Sequence, residues 1–228
     1  KGLPLNFIPF VGHGTVRFMI KGDSSDAMDA HELTQMEHVL EQSFREGAAG
    51  LSFGLIYVPA LCARRQELLR AARTAARFDR LLAVHMRSES DDLIEALEEI
   101  IALAQEAGVR LHISHLKAIG NRNQSKIKHV LRLIEKHHLS FDHYPYTYGS
   151  TSLLSMLPPQ LFEGRSVQQA LAQLSEEATR REVKELIEGR NRTPAGLPWD
   201  NLAQLVGWDK IELAYIPEGP DRCLQGVS

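Results

Sequence analysis

Short apolar runs alternate with longer amphipathic stretches through the first 150 residues of the chain. Each run is followed by a stretch in which apolar residues recur every three or four positions, which is typical of a strand followed by a packed helix. The runs predict strands at residues 5–10, 49–53, 81–84, 109–114 and 140–144. The amphipathic stretches predict helices at residues 29–46, 66–77, 91–107 and 126–136, and a capping box of Asp29 and Glu32 opens the first of them.

This alternation predicts an α/β protein. The strand–helix steps are spaced by about 30 residues, which is enough for the helical crossover that parallel strands need. Both a doubly wound sheet and a (β/α)₈ barrel meet that spacing, and no Gly-x-Gly-x-x-Gly follows the first run to favour a dinucleotide fold. Beyond residue 150 the rhythm is lost. Prolines punctuate that part of the chain, helices are predicted at 167–174 and 176–188, and one strand-like run lies at 210–216.

Composition and charge exclude several functional classes. The 26 basic and 29 acidic residues give a net charge of −3 and are spread along the chain, without the basic stripe that is typical of a nucleic-acid-binding protein. No apolar run reaches the roughly 18 residues of a membrane span, so the sequence predicts no transmembrane helix. Cys62 and Cys223 cannot form a disulfide framework and lack the spacing of a zinc motif, so a cytoplasmic location is expected.

Two histidines, His85 and His115, stand at the carboxyl ends of neighbouring predicted strands, where α/β enzymes place their active sites. Period-two alternation predicts that each shares a face with the cation two residues later, which is Arg87 in one case and Lys117 in the other. The same alternation puts His112 on the opposite face, as a structural or surface residue. Imidazole is a common zinc ligand, but zinc takes three or four protein ligands, and strand-end histidines also serve as hydrogen-bonded packing residues. The pair therefore indicates a metal site without completing one.

A polar and aromatic segment follows the fifth run. Residues 142–151 include Tyr144 and Ser150, whose hydroxyl groups can orient a polar substrate. Tyr57, in the loop after the second run, has the same status. All three residues are equally compatible with ordinary loops, and the pattern alone leaves both interpretations open.

Five motifs occur in a fixed order along the chain. They are Gly12-His13-Gly14-Thr15-Val16-Arg17, Gly50-Leu51-Ser52-Phe53-Gly54-Leu55-Ile56-Tyr57, His85-Met86-Arg87-Ser88-Glu89, Ser114-His115-Leu116-Lys117-Ala118 and Tyr144-Pro145-Tyr146-Thr147. Together they resemble the N-acyl-D-amino-acid deacylase (D-aminoacylase) branch of the amidohydrolase superfamily. The resemblance runs from residue 1 to about residue 165 and continues weakly to the end of the chain.

The resemblance implies a (β/α)₈ TIM-type barrel that carries Zn²⁺ and hydrolyses the amide bond of an N-acyl-D-amino acid, a small-molecule substrate. It implies that His85 and His115 hold the tightly bound zinc. It also implies that the substrate's carboxylate or acyl oxygen is bound by Tyr57, Arg87, Lys117, Tyr144 and Ser150. The chemistry agrees with these roles, because zinc brings the pKa of a bound water to about 7, cations pair with a carboxylate, and a tyrosine hydroxyl stabilises an oxyanion.

The chain also departs from the pattern of this family. The family's first strand ends in His-x-His, its second strand carries a metal-bridging cysteine, and its last strand supplies an aspartate that acts as acid and base. Neither cysteine of this chain lies at the bridging position, and the catalytic acid/base is expected outside the chain. We therefore expect residues 1–150 to form a partial barrel of about the third to seventh strands, and residues 151–228 to form a helical, irregular segment before the last strand. Such a chain is expected to be weakly active or inactive alone, and its open strand edges favour self-association.

Two other classes stay open at this point. A different amidohydrolase, such as a cyclic-amide hydrolase, shares the barrel histidines but usually carries a metal-bridging carboxylated lysine on a strand, whereas Lys117 lies past the histidine. A non-catalytic scaffold would pair its strand edges with a partner or with a second copy. Comparing hydrolysis of a cyclic imide with hydrolysis of an N-acyl-D-amino acid by the complete protein distinguishes a cyclic-amide hydrolase from a deacylase. Measuring the size of the purified chain tests the scaffold, which should form a dimer or a larger species.

Overall fold

The computed structural model describes residues 4–189, 198–216 and 218–226 of the chain. One sheet contains β1 (Phe10–Gly12), β2 (Gly50–Gly54), β3 (Leu81–His85), β4 (Leu111–Ile113) and β5 (Ser140–Phe141). The α-helices of the described residues are α1 (His13–Lys21), α2 (Ala30–Arg45), α3 (Arg65–Arg77), α4 (Leu93–Ala107), α5 (Ile127–Lys136), α6 (Val167–Gln173), α7 (Glu177–Glu188) and α8 (Leu202–Val206). Short 3₁₀ helices lie at Ala60–Cys62, Asn121–Lys126, Leu153–Met156, Pro159–Phe162, Trp208–Lys210 and Pro220–Leu224. Within these described residues, no helix has the combined length and apolar character that crossing a bilayer requires.

The order of the strands identifies the architecture. The strands lie in the sheet in chain order, from β1 to β5, and each neighbouring pair is parallel. A doubly wound sheet reverses its order at a switch point, and no reversal occurs among the described strands. Five consecutive parallel strands joined by helices form part of a (β/α) barrel, so the predicted α/β, barrel-type fold class is confirmed.

The two faces of the sheet differ in burial. One face carries Leu82, Val84 and Ile113, which are completely buried in the core shared with the helices. Helices α1 to α5 pack side by side along this core, each in contact with the next. The opposite face carries Ala83 and His85, which are only partly buried. In a barrel this second face is the interior, so the polar residues of the sheet lie on the barrel side.

Helix α2 begins where the sequence predicts. Asp29 Oδ1 accepts hydrogen bonds from the backbone N–H groups of His31 and Glu32, both at 2.8 Å. In return, Glu32 Oε2 accepts a hydrogen bond from the backbone N–H of Asp29 at 2.8 Å. This capping box satisfies N–H groups that the first helical turn leaves unpaired. A neighbouring residue also sets the end of helix α4. This residue is Gly108, whose φ of 69° lies in the left-handed region that glycine tolerates.

The first strand begins later than predicted. β1 starts at Phe10, whereas the apolar residues before it are exposed, Leu5 by 80% and Phe7 by 73%. Among the described strands, β1 pairs on one side only, with β2. The prediction at residues 5–10 is therefore wrong because an apolar run becomes a strand only where a neighbour pairs with its backbone groups.

Two further elements differ from the prediction. The sequence predicts no helix directly after the first strand, yet α1 follows β1 without a gap, held by a buried hydrogen bond from Arg17 to Glu67 of α3. The strand predicted at 210–216 is absent from the described sheet, since residues 211–216 pair with none of its strands. Both errors arise because the predictions rest on local hydrophobicity, whereas contacts between residues distant in sequence decide the structure of these segments.

Residues beyond 150 form a second, smaller apolar cluster, which includes Phe162 and Val183. Ser25 Oγ donates a hydrogen bond to the carbonyl oxygen of Phe162 at 2.8 Å, which joins this cluster to the loop before α2. The helices predicted at 167–174 and 176–188 are present as α6 and α7.

Candidate metal centre

Three potential metal ligands meet at the carboxyl edge of the central strands. His85 is the last residue of β3, Glu89 follows in the loop before α4, and His115 lies just after β4. Because β3 and β4 are adjacent and parallel, their carboxyl ends share the same edge of the sheet. This edge therefore brings together the two histidines that the sequence predicts to be neighbours.

His115 reaches this position through a turn of the backbone rather than by strand alternation. β4 ends at Ile113, and His115 has a φ of 38°, in the left-handed region that residues other than glycine rarely adopt. Its backbone N–H donates a hydrogen bond to Asp142 Oδ1 at 2.6 Å, which stabilises the turn. Backbone strain that is held by surrounding contacts clusters at functional sites.

The predicted position of His112 is wrong. His112 is the register partner of Ala83, so it lies on the barrel side of the sheet instead of the opposite face. Its Nδ1 is 2.9 Å from Ser140 Oγ, and its Nε2 is 2.8 Å from Asp142 Oδ2. The error arises because alternation does not extend past the end of β4, into the turn that carries His115. His112 therefore supports Asp142, which in turn holds that turn.

The side chains converge closely at this edge. The rings of His85 and His115 are 4.5 Å apart between centroids, in an edge-to-face arrangement. Glu89 lies between them, with Oε1 3.0 Å from His115 Nδ1 and Oε2 3.7 Å from His85 Nε2. Lys117 Nζ is 2.6 Å from Glu89 Oε1 and 2.9 Å from His115 Nδ1. The Lys117 ammonium thus places a positive charge beside the carboxylate and the ring.

Burial sets the protonation state of His85, and neighbouring groups set that of Glu89. Burial lowers the pKa of His85 to about 4, more strongly than the Glu89 carboxylate raises it, so the imidazole is neutral at neutral pH. Burial acts to raise the pKa of Glu89, but the hydrogen bond with His115 and the nearby charge of Lys117 hold that pKa below its ordinary value. Neutral imidazole and ionised carboxylate are the forms in which these groups bind metal ions.

The donor set fits a zinc ion. His85 Nε2 is buried and has no hydrogen-bond partner among the described residues, whereas Glu89 Oε1 is held in ion pairs with Lys117 and His115. The ligand atoms of His85, Glu89 and His115 lie within 4.8 Å of one another, and no other such group of three converges in the part of the chain that the structure describes. Two imidazoles and one carboxylate form a known catalytic zinc set, with a fourth position left open.

Three residues that the resemblance assigns to substrate binding lie at this cluster. Lys117 belongs to it, and the ring of Tyr57 packs edge-to-face on His85 with centroids 5.2 Å apart. Lys117 Nζ lies 5.6 Å from the centre of the Tyr144 ring. Burial raises the pKa of the Tyr144 phenol, so the hydroxyl stays protonated and able to donate at neutral pH.

Arg87 does not face the histidines, contrary to the sequence-based prediction. Its Nε donates hydrogen bonds to both carboxylate oxygens of Glu99 in α4, each at 3.0 Å. Its Nη1 and Nη2 donate to the carbonyl oxygens of Leu61 and Ala63. Alternation fails here because β3 ends at His85 and no longer sets the direction of later side chains. Arg87 therefore ties the loop before α3 to α4.

Ser150 is the fifth residue that the resemblance assigns to substrate binding. It is exposed in the segment after β5. No hydrogen bond among the described residues joins its side chain to the cluster, and its role in substrate binding stays a prediction.

Three acidic residues of the site carry no role in the sequence-based prediction. Glu89 lies four positions after His85 in one of the five motifs, and that spacing is the signal that points to it. Asp142 stands at the end of β5, next to β4, where strand-end polar residues meet. Asp200 bonds to the loop that carries Glu89 but gives no local signal, since the two residues are 111 positions apart.

Comparison with known proteins identifies relatives of this chain. It is 34% identical over 153 residues to the D-aminoacylase of Alcaligenes xylosoxydans xylosoxydans, covering 65% of this chain and 32% of that protein. It is 31% identical over 154 residues to the N-acyl-D-aspartate deacylase of the same organism, covering 65% of this chain and 31% of that protein. The chain thus spans about a third of the length of these curated relatives. No family model matches the sequence.

Solved structures give the same assignment. The N-acyl-D-glutamate deacylase of Bordetella bronchiseptica, complexed with zinc and a phosphonate mimic of the tetrahedral intermediate, matches with a TM-score of 0.65 and 28% identity, covering 78% of this chain and 42% of that chain. A D-aminoacylase structure that defines a subset of amidohydrolases matches with a TM-score of 0.62 and 30% identity, covering 78% of this chain and 41% of that chain. The resemblance carried by the five motifs is confirmed, and over the part that these proteins match the chain is similar to D-aminoacylases among the amidohydrolases.

Proposed function

We propose that the protein is a zinc-dependent hydrolase of the amide bond of N-acyl-D-amino acids, with His85, Glu89 and His115 as zinc ligands in this chain. One observation carries the proposal, the convergence of these three ligands at the carboxyl edge of parallel strands. Relatives named for deacylation of D-amino-acid derivatives support the reaction class. The N-acyl-D-glutamate deacylase complex with zinc supports the metal.

The residues around the ligands prepare them for a cation. When bound, zinc lowers the pKa of a coordinated water and polarises a carbonyl, which is the chemistry that amide hydrolysis needs. Glu89 is ionised and His85 is neutral at neutral pH, so neither must lose a proton first. Asp142 holds the backbone turn at His115 and keeps that ring beside His85.

Neighbouring side chains provide for binding the substrate. In this proposal Lys117 pairs with the α-carboxylate of the substrate, as a cation beside a metal site does. Tyr144 donates a hydrogen bond to the acyl oxygen, and Tyr57 forms an aromatic wall beside His85. Ser150 supplies a further hydroxyl from the segment after β5. Arg87 has no part in this arrangement, because its guanidinium is committed to Glu99 and the loop carbonyl groups.

Zinc binding to the metal-free chain tests the ligand set. Calorimetry measures the affinity, and the visible spectrum of a Co²⁺-substituted chain reports the coordination. His85→Ala and Glu89→Gln are expected to weaken binding, whereas His38→Ala, which changes an exposed histidine of α2, should bind as the wild-type chain does. Wild-type affinity in both ligand variants would contradict the proposal.

We propose in addition that this chain alone hydrolyses N-acyl-D-amino acids weakly or not at all. In this proposal residues 1–150 supply about the third to seventh strands of the barrel, and residues 151–228 precede the last strand, on which the family carries its acid/base aspartate. The five described strands leave β1 and β5 as edges. Purified chain with zinc and N-acetyl-D-amino acids should show no turnover above background. Hydrolysis at ordinary enzyme rates would contradict this.

The sheet edges support a further proposal, self-association of the chain. Phe10 on β1 and Phe141 on β5 are 38% and 42% exposed on the two edge strands. Edge strands with apolar side chains are templates for pairing with another strand. Sedimentation of the purified chain should show a dimer or a larger species, and a monomer at all concentrations would exclude this pairing.

We also propose a cytoplasmic location. Cys62 is half-buried and Cys223 is exposed, and both are free thiols. Free thiols are the usual state in a reducing compartment. Recovery of the protein from a membrane or secreted fraction of the cells that express it would contradict this location.

A further inference from the structure

A buried carboxylate outside the metal cluster lies against the loop that carries Glu89. Asp200 is 3% exposed and precedes α8 by two residues. Its Oδ1 accepts hydrogen bonds from Ser88 Oγ at 2.6 Å and from Ser90 Oγ at 2.5 Å. Its Oδ2 accepts a hydrogen bond from the backbone N–H of Glu89 at 2.6 Å. One carboxylate therefore holds three consecutive residues of the β3–α4 loop.

The donors require both oxygens of Asp200 to act as acceptors. Ser88 Oγ already accepts hydrogen bonds from the backbone N–H groups of Ser90 and Asp92, at 3.2 and 3.3 Å, which uses its lone pairs and leaves it a proton to donate. The backbone N–H of Glu89 can only donate. Burial raises the pKa of Asp200, so these donors are what stabilise its charge. In an Asp200→Asn variant, the NH₂ group would replace one acceptor oxygen and would face a hydrogen-bond donor.

The backbone of Glu89 is also held from its other side. Its carbonyl oxygen accepts a hydrogen bond from the backbone N–H of Ile119, in the loop after β4, at 2.7 Å. Asp200 accepts a hydrogen bond from the N–H of Glu89, and Ile119 donates one to its carbonyl oxygen, so both peptide groups of Glu89 are fixed. The Glu89 side chain points to the two histidines. Mutation of a residue that orients a metal ligand without binding the metal itself typically lowers metal affinity about 10- to 100-fold.

We propose that Asp200 is a positioning residue, which fixes the backbone of Glu89 and so holds the Glu89 carboxylate against His85 and His115. The inference rests on the proposed function for its metal, but the contacts it describes exist in the metal-free chain. It gives the segment after residue 198 a role in the site, although 111 positions separate Asp200 from Glu89.

The test compares Asp200→Asn with a matched variant, Glu67→Gln. Glu67 is a second buried carboxylate held by two side chains, and no hydrogen bond or ion pair among the described residues joins it to the metal cluster. Zinc affinity is measured by calorimetry. The imidazole nitrogen chemical shifts of the two cluster histidines are measured in the metal-free chain. This second readout needs no metal, and it reports whether the Glu89 carboxylate stays at the rings.

Asp200→Asn is expected to weaken zinc binding about 10- to 100-fold and to move the histidine shifts, while Glu67→Gln changes neither. Unchanged affinity and unchanged shifts in Asp200→Asn would overturn the inference. Equal changes in both variants would also overturn it, because they would show a general loosening of the fold. If the wild-type chain binds no measurable zinc, the proposed function fails. The histidine chemical shifts in the metal-free chain then test the positioning role by themselves. Movement confined to Asp200→Asn then supports positioning, and no movement overturns it.

Ser90→Ala is a milder variant that serves if Asp200→Asn does not fold. It removes one of the two hydroxyl donors and keeps the carboxylate in place. The expected loss of zinc affinity is about fivefold, the worth of one hydrogen bond, with a smaller movement of the histidine shifts. Wild-type values in both measurements would overturn the inference.

Discussion

Two clusters in this chain combine the same residue types and differ in what they leave open. Each contains histidine, glutamate and a basic side chain. The α1–α3 cluster consists of His13, Arg17 and Glu67. The mouth cluster, at the carboxyl edge of the sheet, consists of His85, Glu89, His115 and Lys117. Residue type therefore does not separate a packing cluster from a candidate site.

The α1–α3 cluster is closed. Its carboxylate oxygens have separate partners, since His13 Nε2 lies 2.7 Å from Glu67 Oε1 and Arg17 Nη1 donates to Oε2 at 2.6 Å. His13 and Arg17 are completely buried. Arg17 Nη2 also donates to the carbonyl oxygens of Ser24 and Asp26, which ties the loop before α2 to this cluster. The cluster is thus a packing element that joins α1, α3 and a loop.

The mouth cluster leaves a ligand atom available. His85 Nε2 is buried without a hydrogen bond, Glu89 Oε1 lies in ion pairs with Lys117 and His115, and ligand atoms of the two histidines and Glu89 converge. His13 Nδ1 and Arg17 Nε also lack hydrogen bonds, but the protonated guanidinium cannot bind a metal ion, and no group of three ligands converges there among the described residues. What distinguishes the candidate site is a set of lone pairs that face one space.

The largest expected effect comes from opening the closed cluster. Glu67→Ala leaves the Arg17 guanidinium buried without its carboxylate, which should lower the free energy of unfolding by about 3–5 kcal/mol. Urea unfolding measures the loss. Glu37→Ala is the control, because the partly exposed ion pair of Glu37 with Arg70 should be worth about 1 kcal/mol or less. Equal losses in the two variants would remove the contrast between the clusters.

The second effect separates metal binding from stability. His115→Ala removes one of the three proposed ligands and should weaken zinc binding by about 100-fold or more, which is about 2.7 kcal/mol. The free energy of unfolding should change little, because the His115 side chain is 31% exposed. Calorimetry with zinc and urea unfolding check both expectations. His129→Ala, at a half-buried position on α5, is the control, and wild-type zinc affinity in His115→Ala would place the metal elsewhere.

The third effect concerns a basic residue that is close to the mouth cluster in sequence but packs elsewhere. Arg87→Ala leaves the carbonyl oxygens of Leu61 and Ala63 without their donors, which should lower the free energy of unfolding by about 2 kcal/mol. Thermal or urea unfolding measures this, with the exposed Arg110→Ala as the control. A stable Arg87→Ala chain with weaker substrate binding would restore the role that the sequence predicts.

The smallest effect is a difference in acid stability. Burial acts to raise the pKa of Glu67, but His13 and Arg17 hold it below the ordinary value of 4.5. Because the folded-state pKa is the lower one, this stabilisation is present above pH 4.5 and is lost as the pH falls toward the folded value. The free energy of unfolding of the wild-type chain should therefore fall more than that of Glu67→Gln as the pH drops below 4.5. Unfolding curves from neutral pH downward check this, and parallel losses would contradict it.

Local rules account for the elements that the sequence predicts well. The capping box of Asp29 and Glu32 sets the start of α2, and Gly108 sets the end of α4, because each depends on residues within one turn. The regular spacing of apolar runs predicts the parallel sheet in the same way. These features need no information from distant parts of the chain.

Distant contacts account for the rest. The structure brings His85 and His115 together through a left-handed turn, which depends on Asp142, 27 positions after His115. Helix α1 contains Gly14 and the β-branched Thr15 in its first turn, which disfavour a helix, and it is held by a contact with Glu67, 50 positions after Arg17. No local pattern records such partners, so the sequence could not predict these features.

The bond between Asp200 and the Glu89 amide also bears on how the site forms during synthesis. A ribosome that adds about 5–20 residues per second reaches Asp200 about 6–22 s after Glu89, given their separation of 111 positions. Until then the amide and the hydroxyls of Ser88 and Ser90 lack their acceptor, and water must solvate them. Nascent chains that stop before residue 200 should therefore exchange the Glu89 amide hydrogen rapidly, and chains released after it should protect that hydrogen.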